Sequence, residues 1–425
     1  MSPSRFGPPG DREVESPSMQ QTVPVTAPSP IPVLIVDDSL VFRRFLRDLL
    51  EDCSDFAIAG EAQNGIEALD MLLKTKPEVI LLDLEMPIMD GMTALQHLMI
   101  HRPTPTIMFS SLTEQGTARC FDTLKNGAVD FISKDFIFQK KALQSHKQLL
   151  IEKVKNAAAL TVRAREPVLA NTPAISEIAD GERRVVFCEE CGGREVFTYS
   201  KSKPVRSIAC SHCGDSIELN FSSHAQYRRN TFVTVIGGGE GCFFNLLEII
   251  PRLNPEMGGA LIAVLHQDPE HVNSFSEYLD AISAIKVVRA RDGLSIEGGT
   301  CYIVSGQEYM RLKPYSTQLT LQRLQKSSVN GGALDILLAS VSTIFKKRAA
   351  GIIVSGEVRD GDKGVPILLK NGGISMILDG TECFCKGMGQ HLLESSANTK
   401  TYTTEKILEI IRKLHYQAKN GTVAG

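Results

Sequence analysis

Four short apolar runs, Val33–Val36, Val79–Leu82, Thr106–Phe109 and Val129–Ile132, each stop just short of a polar residue able to do chemistry. Largely apolar runs of this length read as parallel strands buried on both faces. Helical patterns lie between them, at Val41–Cys53, Ile66–Lys74, Gly91–Ile100 and Gly116–Asn126. The spacing predicts a doubly wound α/β sheet over 32–150, with its site at the carboxyl ends of the strands. A charged helix over 139–165 leads out of it, and 151–184 read as linker helix and linker. A small cysteine-bearing insert follows at 185–221. A second α/β unit is expected over 230–419, with strands near 231–236, 259–265, 301–304, 351–355 and 374–378. Residues 1–31, rich in Pro and Ser, lack the large apolar side chains of a core and read as a disordered tail.

With 46 basic and 49 acidic residues the chain offers no broad surface for nucleic acid or anionic membrane. A basic group around the insert (Arg183, Arg184, Lys201, Lys203, Arg206, Arg228, Arg229) has few interleaved aromatics, so nucleic acid is not favoured as a partner. No apolar run reaches the ~18–20 residues of a membrane helix, and the first residues lack the apolar core of a secretory signal. Four of the ten cysteines form two C-x-x-C pairs and the others show no framework spacing. That pattern fits a reducing cytoplasm and one metal site.

Asp37 and Asp38 end the first strand and Asp83 ends the strand Val79–Leu82. Any one of them alone reads as a solvated carboxylate. Three together repel unless a cation neutralises them, and Mg²⁺, which prefers oxygen ligands, suits the cluster. A carboxylate beside Mg²⁺ can attack a phosphodonor and become an acyl phosphate. Ser110 and Lys134, at the ends of neighbouring strands, add a hydroxyl and an ammonium for the phosphoryl oxygens.

These residues stand within Asp-Asp-Ser at 37–39, Leu-Asp-Leu-Glu-Met-Pro at 82–87, Asp-Gly at 90–91, Ser-Ser at 110–111 and Gly-Ala-Val-Asp-Phe-Ile-Ser-Lys at 127–134. The segment 32–150 thereby resembles the receiver domain of bacterial response regulators. The resemblance implies that Asp83 is the phosphoacceptor. It also implies that Asp37, Asp38 and the backbone carbonyl of Glu85 join Asp83 on Mg²⁺, and that Ser110, Phe131 and Lys134 form the switch. Asp135 is a departure, because the family usually has proline there.

Cys188-x-x-Cys191 and Cys210-x-x-Cys213 have the spacing of a tetrahedral Zn²⁺ site. Two knuckles present two thiolates each, and four thiolates leave no open position, so the role read here is structural. Fewer than 40 residues could hardly fold without a metal. The insert resembles a zinc ribbon. Phe187, Phe197 and Tyr199 read as its own core, with a small docking face as the alternative.

Val235-Ile-Gly-Gly-Gly-Glu-Gly241 has the outer glycines of the G-x-S-x-G elbow, with Gly239 at the centre where the serine hydroxyl would stand. His266, at a strand end, and Asp360, in a later loop, are the base and orienter such an elbow needs. With Val-Leu-His at 264–266, Cys-Tyr-Ile-Val at 301–304, Asp335-Ile-Leu-Leu, Ser-Gly-Glu-Val-Arg-Asp-Gly at 355–361 and Gly-Met-Gly at 387–389, the unit resembles the chemotaxis protein-glutamate methylesterases. The resemblance implies a chemotaxis histidine kinase as phosphodonor and a methyl-accepting receptor, or another signalling protein, as partner. Its departures fall on the chemistry. Gly239 replaces the serine, Glu240 the following threonine, and Glu357 a methionine whose amide helps bind the oxyanion.

Loss of a triad serine costs ~10⁶-fold in turnover, roughly 8 kcal/mol, so the reading is a response regulator of the CheB type acting by binding. The alternative is a methylesterase or glutamine deamidase working through water activated by His266–Asp360, or through a metal held with Glu240 and Glu357. Cys242 is the other candidate nucleophile, one helical turn past the elbow.

Overall fold

The apolar runs 33–36, 79–82, 106–109 and 129–132 become β1 (Ile31–Val36), β3 (Val79–Asp83), β4 (Thr106–Ser110) and β5 (Asp130–Ser133), with β2 (Phe56–Ala62) beside β1. A computed structural model describes residues 29–110, 114–137, 143–163, 181, 183–188, 193–200, 202, 207–218, 232–315, 318–395 and 399–419. The tail up to residue 28, most of the linker and Cys191 lie outside the described residues.

The first sheet has the order β2-β1-β3-β4-β5, all parallel. The helices α1 (Leu40–Glu51), α2 (Gly65–Thr75), α3 (Gly91–His101) and α4 (Glu114–Lys125) cover its faces, and the short α5 (Lys134–Ile137) follows β5. Helix α1 starts where the Ser39 hydroxyl accepts the Phe42 N–H, and it buries Phe42, Leu46, Leu49 and Leu50, one stripe of a 3.6-residue period. Asn64 and Asp90 cap α2 and α3 in the same way. Gly91 explains the Asp-Gly motif: a β-carbon there would collide with the backbone carbonyl of Asp83. Chain order reverses at β1, so the crevice beside it faces the carboxyl ends of β1 and β3.

Helix α6 (Leu143–Ala158) ends at Ala158, short of the expected 165. It lies on the core of the first sheet through the buried Leu150, Val154 and Ala157. The insert contributes two antiparallel hairpins, β6 (Arg183–Phe187) with β7 (Arg194–Thr198), and β8 (Ser207–Ala209) with β9 (Ser216–Glu218). Its core is Cys188, Cys210 and Ile217 with Val186 and Ile208. Phe187 also reaches out of the insert to Tyr278, with ring centroids 5.7 Å apart.

The second unit runs β10 (Val233–Gly238), α7 (Cys242–Ile249), β11 (Ala260–Leu265), α8 (Pro269–Ile282), β12 (Lys286–Arg289) and β13 (Thr300–Ser305). A hairpin of β14 (Tyr309–Tyr315) and β15 (Gln318–Leu324) follows, then α9 (Ala333–Phe345), β16 (Ala349–Ile353), α10 (Gly364–Lys370) and β17 (Ile374–Leu378). It closes with α11 (Gly387–Ser395), β18 (Lys400–Tyr402) and α12 (Thr404–Lys419). The sheet order is β12-β13-β11-β10-β16-β17-β18, again parallel. Both sheets are doubly wound, as the apolar runs require. No helix among the described residues is long and apolar enough to cross a membrane.

The two units pack through aromatic rings. Phe121 on α4 meets Phe243 on α7 at 5.4 Å and Phe275 and Tyr278 on α8 at 5.1 and 5.4 Å. All four side chains are buried.

Candidate functional site

At the carboxyl edge of the first sheet, ligand oxygens of Asp37, Asp38 and Asp83 lie within 4.8 Å of one another. Asp37 and Asp83 are buried and Asp38 is exposed. Two carboxylates ~5 Å apart repel by roughly 3 kcal/mol at an effective dielectric of ~20. Lys134 relieves this from above, its Nζ 2.8 Å from Asp37 Oδ2 and 2.7 Å from Asp83 Oδ2. Burial pushes the Asp83 carboxyl up to about 6; Lys134 opposes that rise and the Asp37 charge adds to it. The Lys134 ammonium loses solvation, yet the two carboxylates outweigh that loss and hold it above its ordinary value. The buried Asp37 Oδ2 makes no aligned hydrogen bond, so an oxygen-seeking divalent cation fits this donor set. Glu85 is exposed, and its N–H donates to Asp83 Oδ1 at 3.4 Å.

Ser110 ends β4 with its hydroxyl 3.0 Å from Cys120 Sγ on α4. Phe131 on β5 sits edge-on to Phe121 at 5.9 Å and meets His271 at 6.4 Å. Two of the three residues expected to switch, Ser110 and Phe131, therefore touch α4 or α8. Neither Cys120 nor Tyr278 stood out in the sequence, since an apolar face looks alike whether it covers a core or a neighbouring domain.

In the insert, the thiols of Cys188, Cys210 and Cys213 lie within 4.8 Å of one another, with Cys188 Sγ 3.6 Å from Cys213 Sγ. Three soft ligands converging on one point fit a tetrahedral zinc site, with Cys191 outside the described residues. The N–H and hydroxyl of Ser211 both donate to Glu195 at 2.6 Å, tying the second knuckle to β7.

In the second sheet, β10, β11 and β16 bring Gly239, His266 and the 355–361 loop to one edge. A β-carbon built on Gly239 lies 3.2 Å from the Gly356 Cα, a tight contact, 3.7 Å from the amide nitrogen of Glu357 and 3.8 Å from the β-carbon of His266. The elbow, with no side chain on it, thus faces the Gly356 backbone, the Glu357 amide and the stem of His266. His266 Nε2 is 2.9 Å from Asp360 Oδ2, but the two are not aligned as a hydrogen bond. Asp360 is held by α9, accepting from the N–H of Leu334 at 2.8 Å and of Asp335 at 3.0 Å. Its presence has a structural reason independent of any base beside it.

Both acids of the altered pocket take backbone amides. Glu240 Oε2 accepts from Glu357 N at 3.1 Å, and Glu357 Oε1 accepts from Gly387 N at 3.3 Å. Among the described residues, no three ligand atoms from Glu240, His266, Glu357 and Asp360 gather within 4.8 Å, so the metal site entertained for them is not assembled. Cys242 is fully buried, and burial pushes its thiol well above the ordinary range, which removes it as a nucleophile. Two contributors were not singled out in the sequence. Ser355 Oγ donates to the Glu240 carbonyl at 2.5 Å, and Gln267 Nε2 donates to the Gly239 carbonyl at 2.7 Å. Ser355 stood inside a quoted motif, and Gln267 follows His266 directly.

An acid-edged receiver whose α4 is embedded in a hydrolase-fold partner defines a class, the response regulator with an esterase-like effector. Residues 33–146 match the response regulator receiver domain and 234–411 match the CheB methylesterase family. A protein-glutamate methylesterase/protein-glutamine glutaminase of Symbiobacterium thermophilum is 31% identical over 386 residues, covering 90% of this chain and 97% of its own. Its counterpart in Pyrococcus horikoshii is 28% identical over 385 residues, covering 90% and 93%. The crystal structure of the Thermotoga maritima CheB methylesterase catalytic domain is 26% identical, covers 43% of this chain and 98% of that one, and gives a TM-score of 0.41. The chain belongs to the CheB family of protein-glutamate methylesterase response regulators. The insert lies outside both matched regions.

Proposed function

We propose that this chain is a cytoplasmic, phosphorylation-controlled chemotaxis regulator whose effector binds a signalling partner and no longer hydrolyses esters through a serine. The observation that carries this is Gly239, a bare backbone position beside the stem of His266 and the Glu357 amide. With the thiol of Cys242 buried, no described side chain replaces the missing hydroxyl. Loss of a triad serine raises the barrier by roughly 8 kcal/mol. The misaligned His266–Asp360 pair offers little to a water molecule in its place.

In this reading a sensor histidine kinase donates the phosphoryl group. An Asp83 oxygen attacks phosphorus, the bond from phosphorus to the donor breaks, and Lys134 neutralises the new charge. Asp37, Asp38, Asp83 and the Glu85 carbonyl would hold Mg²⁺, which supplies charge neutralisation when bound. The phosphoryl group draws Ser110 off Cys120, Phe131 shifts against Phe121, and α4 loosens from α7 and α8. Cys188, Cys191, Cys210 and Cys213 would hold a structural Zn²⁺ in the insert.

The test is a titration of the full chain against a methylated cytoplasmic receptor fragment, with and without acetyl phosphate and Mg²⁺. The expected result is binding whose affinity changes with phosphodonor in the native protein and stays fixed in Asp83→Asn. Absence of binding in both states contradicts the reading.

A further inference from the structure

We infer that Glu240 is a built-in occupant of the effector pocket: its carboxylate fills the backbone donor that would otherwise receive the carboxyl or carbonyl oxygen of a glutamyl side chain. The inference rests on the reading of the pocket as an esterase site without its serine, and it adds a second, separable block. Glu357 N is the donor nearest the bare elbow, 3.7 Å from the β-carbon position on Gly239. The resident oxygen of Glu240 is already on it at 3.1 Å.

The backbone holds Glu240 in place. Gly241 turns the chain at φ +77°, where a β-carbon would collide with Phe384, and the Ser355 hydroxyl anchors the Glu240 carbonyl at 2.5 Å. The same hydroxyl accepts the N–H of Cys385 at 2.8 Å, so turn and pocket floor are fixed as one unit. Glu357 does not compete for its own amide, because its carboxylate lies on Gly387 N. The two acids therefore act differently, Glu240 by occupation and Glu357 from the pocket rim.

A carboxylate on an amide donor resembles the acid that ester hydrolysis would leave behind, so the pocket is filled by an internal product mimic. A nucleophile restored at 239 would still find the donor occupied and negatively charged. Losing one oxyanion donor costs ~10²–10³-fold in rate, and that is the size of the second block.

The experiment uses the full chain and an alkyl fluorophosphonate, read by intact mass. When a serine at 239 reacts, its Oγ bonds to phosphorus as the P–F bond breaks. Fluoride leaves, and the hydroxyl proton passes to His266 and then to water. Four variants are compared: Gly239→Ser alone, Gly239→Ser with Glu240→Thr, Gly239→Ser with Glu240→Gln, and the Thr double variant with His266→Ala. The Thr double variant should label ~10²–10³-fold faster than Gly239→Ser. The Gln variant should stay slow, because its side-chain oxygen can keep the Glu357 amide. Adding His266→Ala should abolish labelling. Equal rates for Gly239→Ser and the Thr double variant overturn the inference, as does fast labelling of the Gln variant or no labelling of either serine variant while each melts like the native protein. Failure of the underlying reading is separate, because it would show as ester turnover by the native chain, which has no serine to label at 239.

Discussion

Phe121 of the receiver stands edge-on to Phe275 of the effector, ring centroids 5.1 Å apart, in a cluster that Phe243 and Tyr278 complete. Phe243 and Phe275 stack at 4.3 Å behind it. One aromatic side chain thus joins α4, beside the acid cluster, to α7 and α8 of the second unit. Phe121→Ala should destabilise the chain by ~3–5 kcal/mol, the cost of emptying a buried aromatic site. Denaturant unfolding measures that loss, and hydrogen exchange should rise across α7 and α8. Native-like exchange there contradicts the coupling.

The Tyr278 hydroxyl donates to Asp122, the residue after Phe121, and its ring also meets Phe187 of the insert. Arg194, paired with Phe187 across the β6–β7 hairpin, donates to both carboxylate oxygens of Glu277 at 2.6 and 3.0 Å. Tyr278→Phe should cost ~1–3 kcal/mol by removing the hydrogen bond from its hydroxyl to the Asp122 carboxylate. A melting midpoint equal to the native one would deny that the hydroxyl matters.

Zinc content of the purified chain should be one ion per molecule and fall in Cys213→Ala. A strong chelator should release it and loosen the insert first, since structural zinc sites of this size owe their folding to the metal. An insert equally protected from exchange with and without chelator would argue against the site.

Acetyl phosphate with Mg²⁺ should phosphorylate the native chain and leave Asp83→Asn unmodified. Lys134→Ala should keep the acceptor but slow transfer, because the ammonium beside Asp83 is gone. Removing Mg²⁺ with a chelator should stop the reaction. Intact mass gives all three results, and phosphorylation of Asp83→Asn would place the acceptor elsewhere.

Fully buried His415 donates or accepts a single hydrogen bond to Thr234 Oγ1 at 2.9 Å and lies against Phe232, and burial lowers its pKa to about 3. The folded chain keeps this imidazole neutral, whereas the unfolded chain protonates near the ordinary ~6.5. Its contribution is therefore complete above ~6.5 and declines as pH falls, by up to about 1.4 kcal/mol per pH unit until roughly 3. Unfolding free energies of the native chain and His415→Gln, taken from pH 7.5 down to 5, should show the shallower decline in the variant. Parallel curves would assign the acid sensitivity to other groups.

The strands that are apolar on both faces could be read from sequence almost to the residue. Those that are not escaped. β2 carries Gly60 and Glu61 and reads as neither strand nor helix. β14 and β15 alternate polar and apolar residues over much of a hairpin that forms its own two-stranded sheet. The acid cluster was legible because each acid follows its own apolar run, so strand ends alone bring the acids together. The hold of Glu240 on the Glu357 amide was not, because it depends on how one side chain bends across 117 positions of sequence. The docking of α4 was hidden for a simpler reason: Phe121 has the burial expected of any core residue.

The most direct test of the central claim is methyl-ester hydrolysis on a methylated receptor fragment by the full native chain, with and without acetyl phosphate, beside His266→Ala. The account predicts no turnover above the uncatalysed rate in any of these. Turnover by the native chain that rises with phosphodonor and vanishes in His266→Ala would contradict it and establish an esterase that works without a serine.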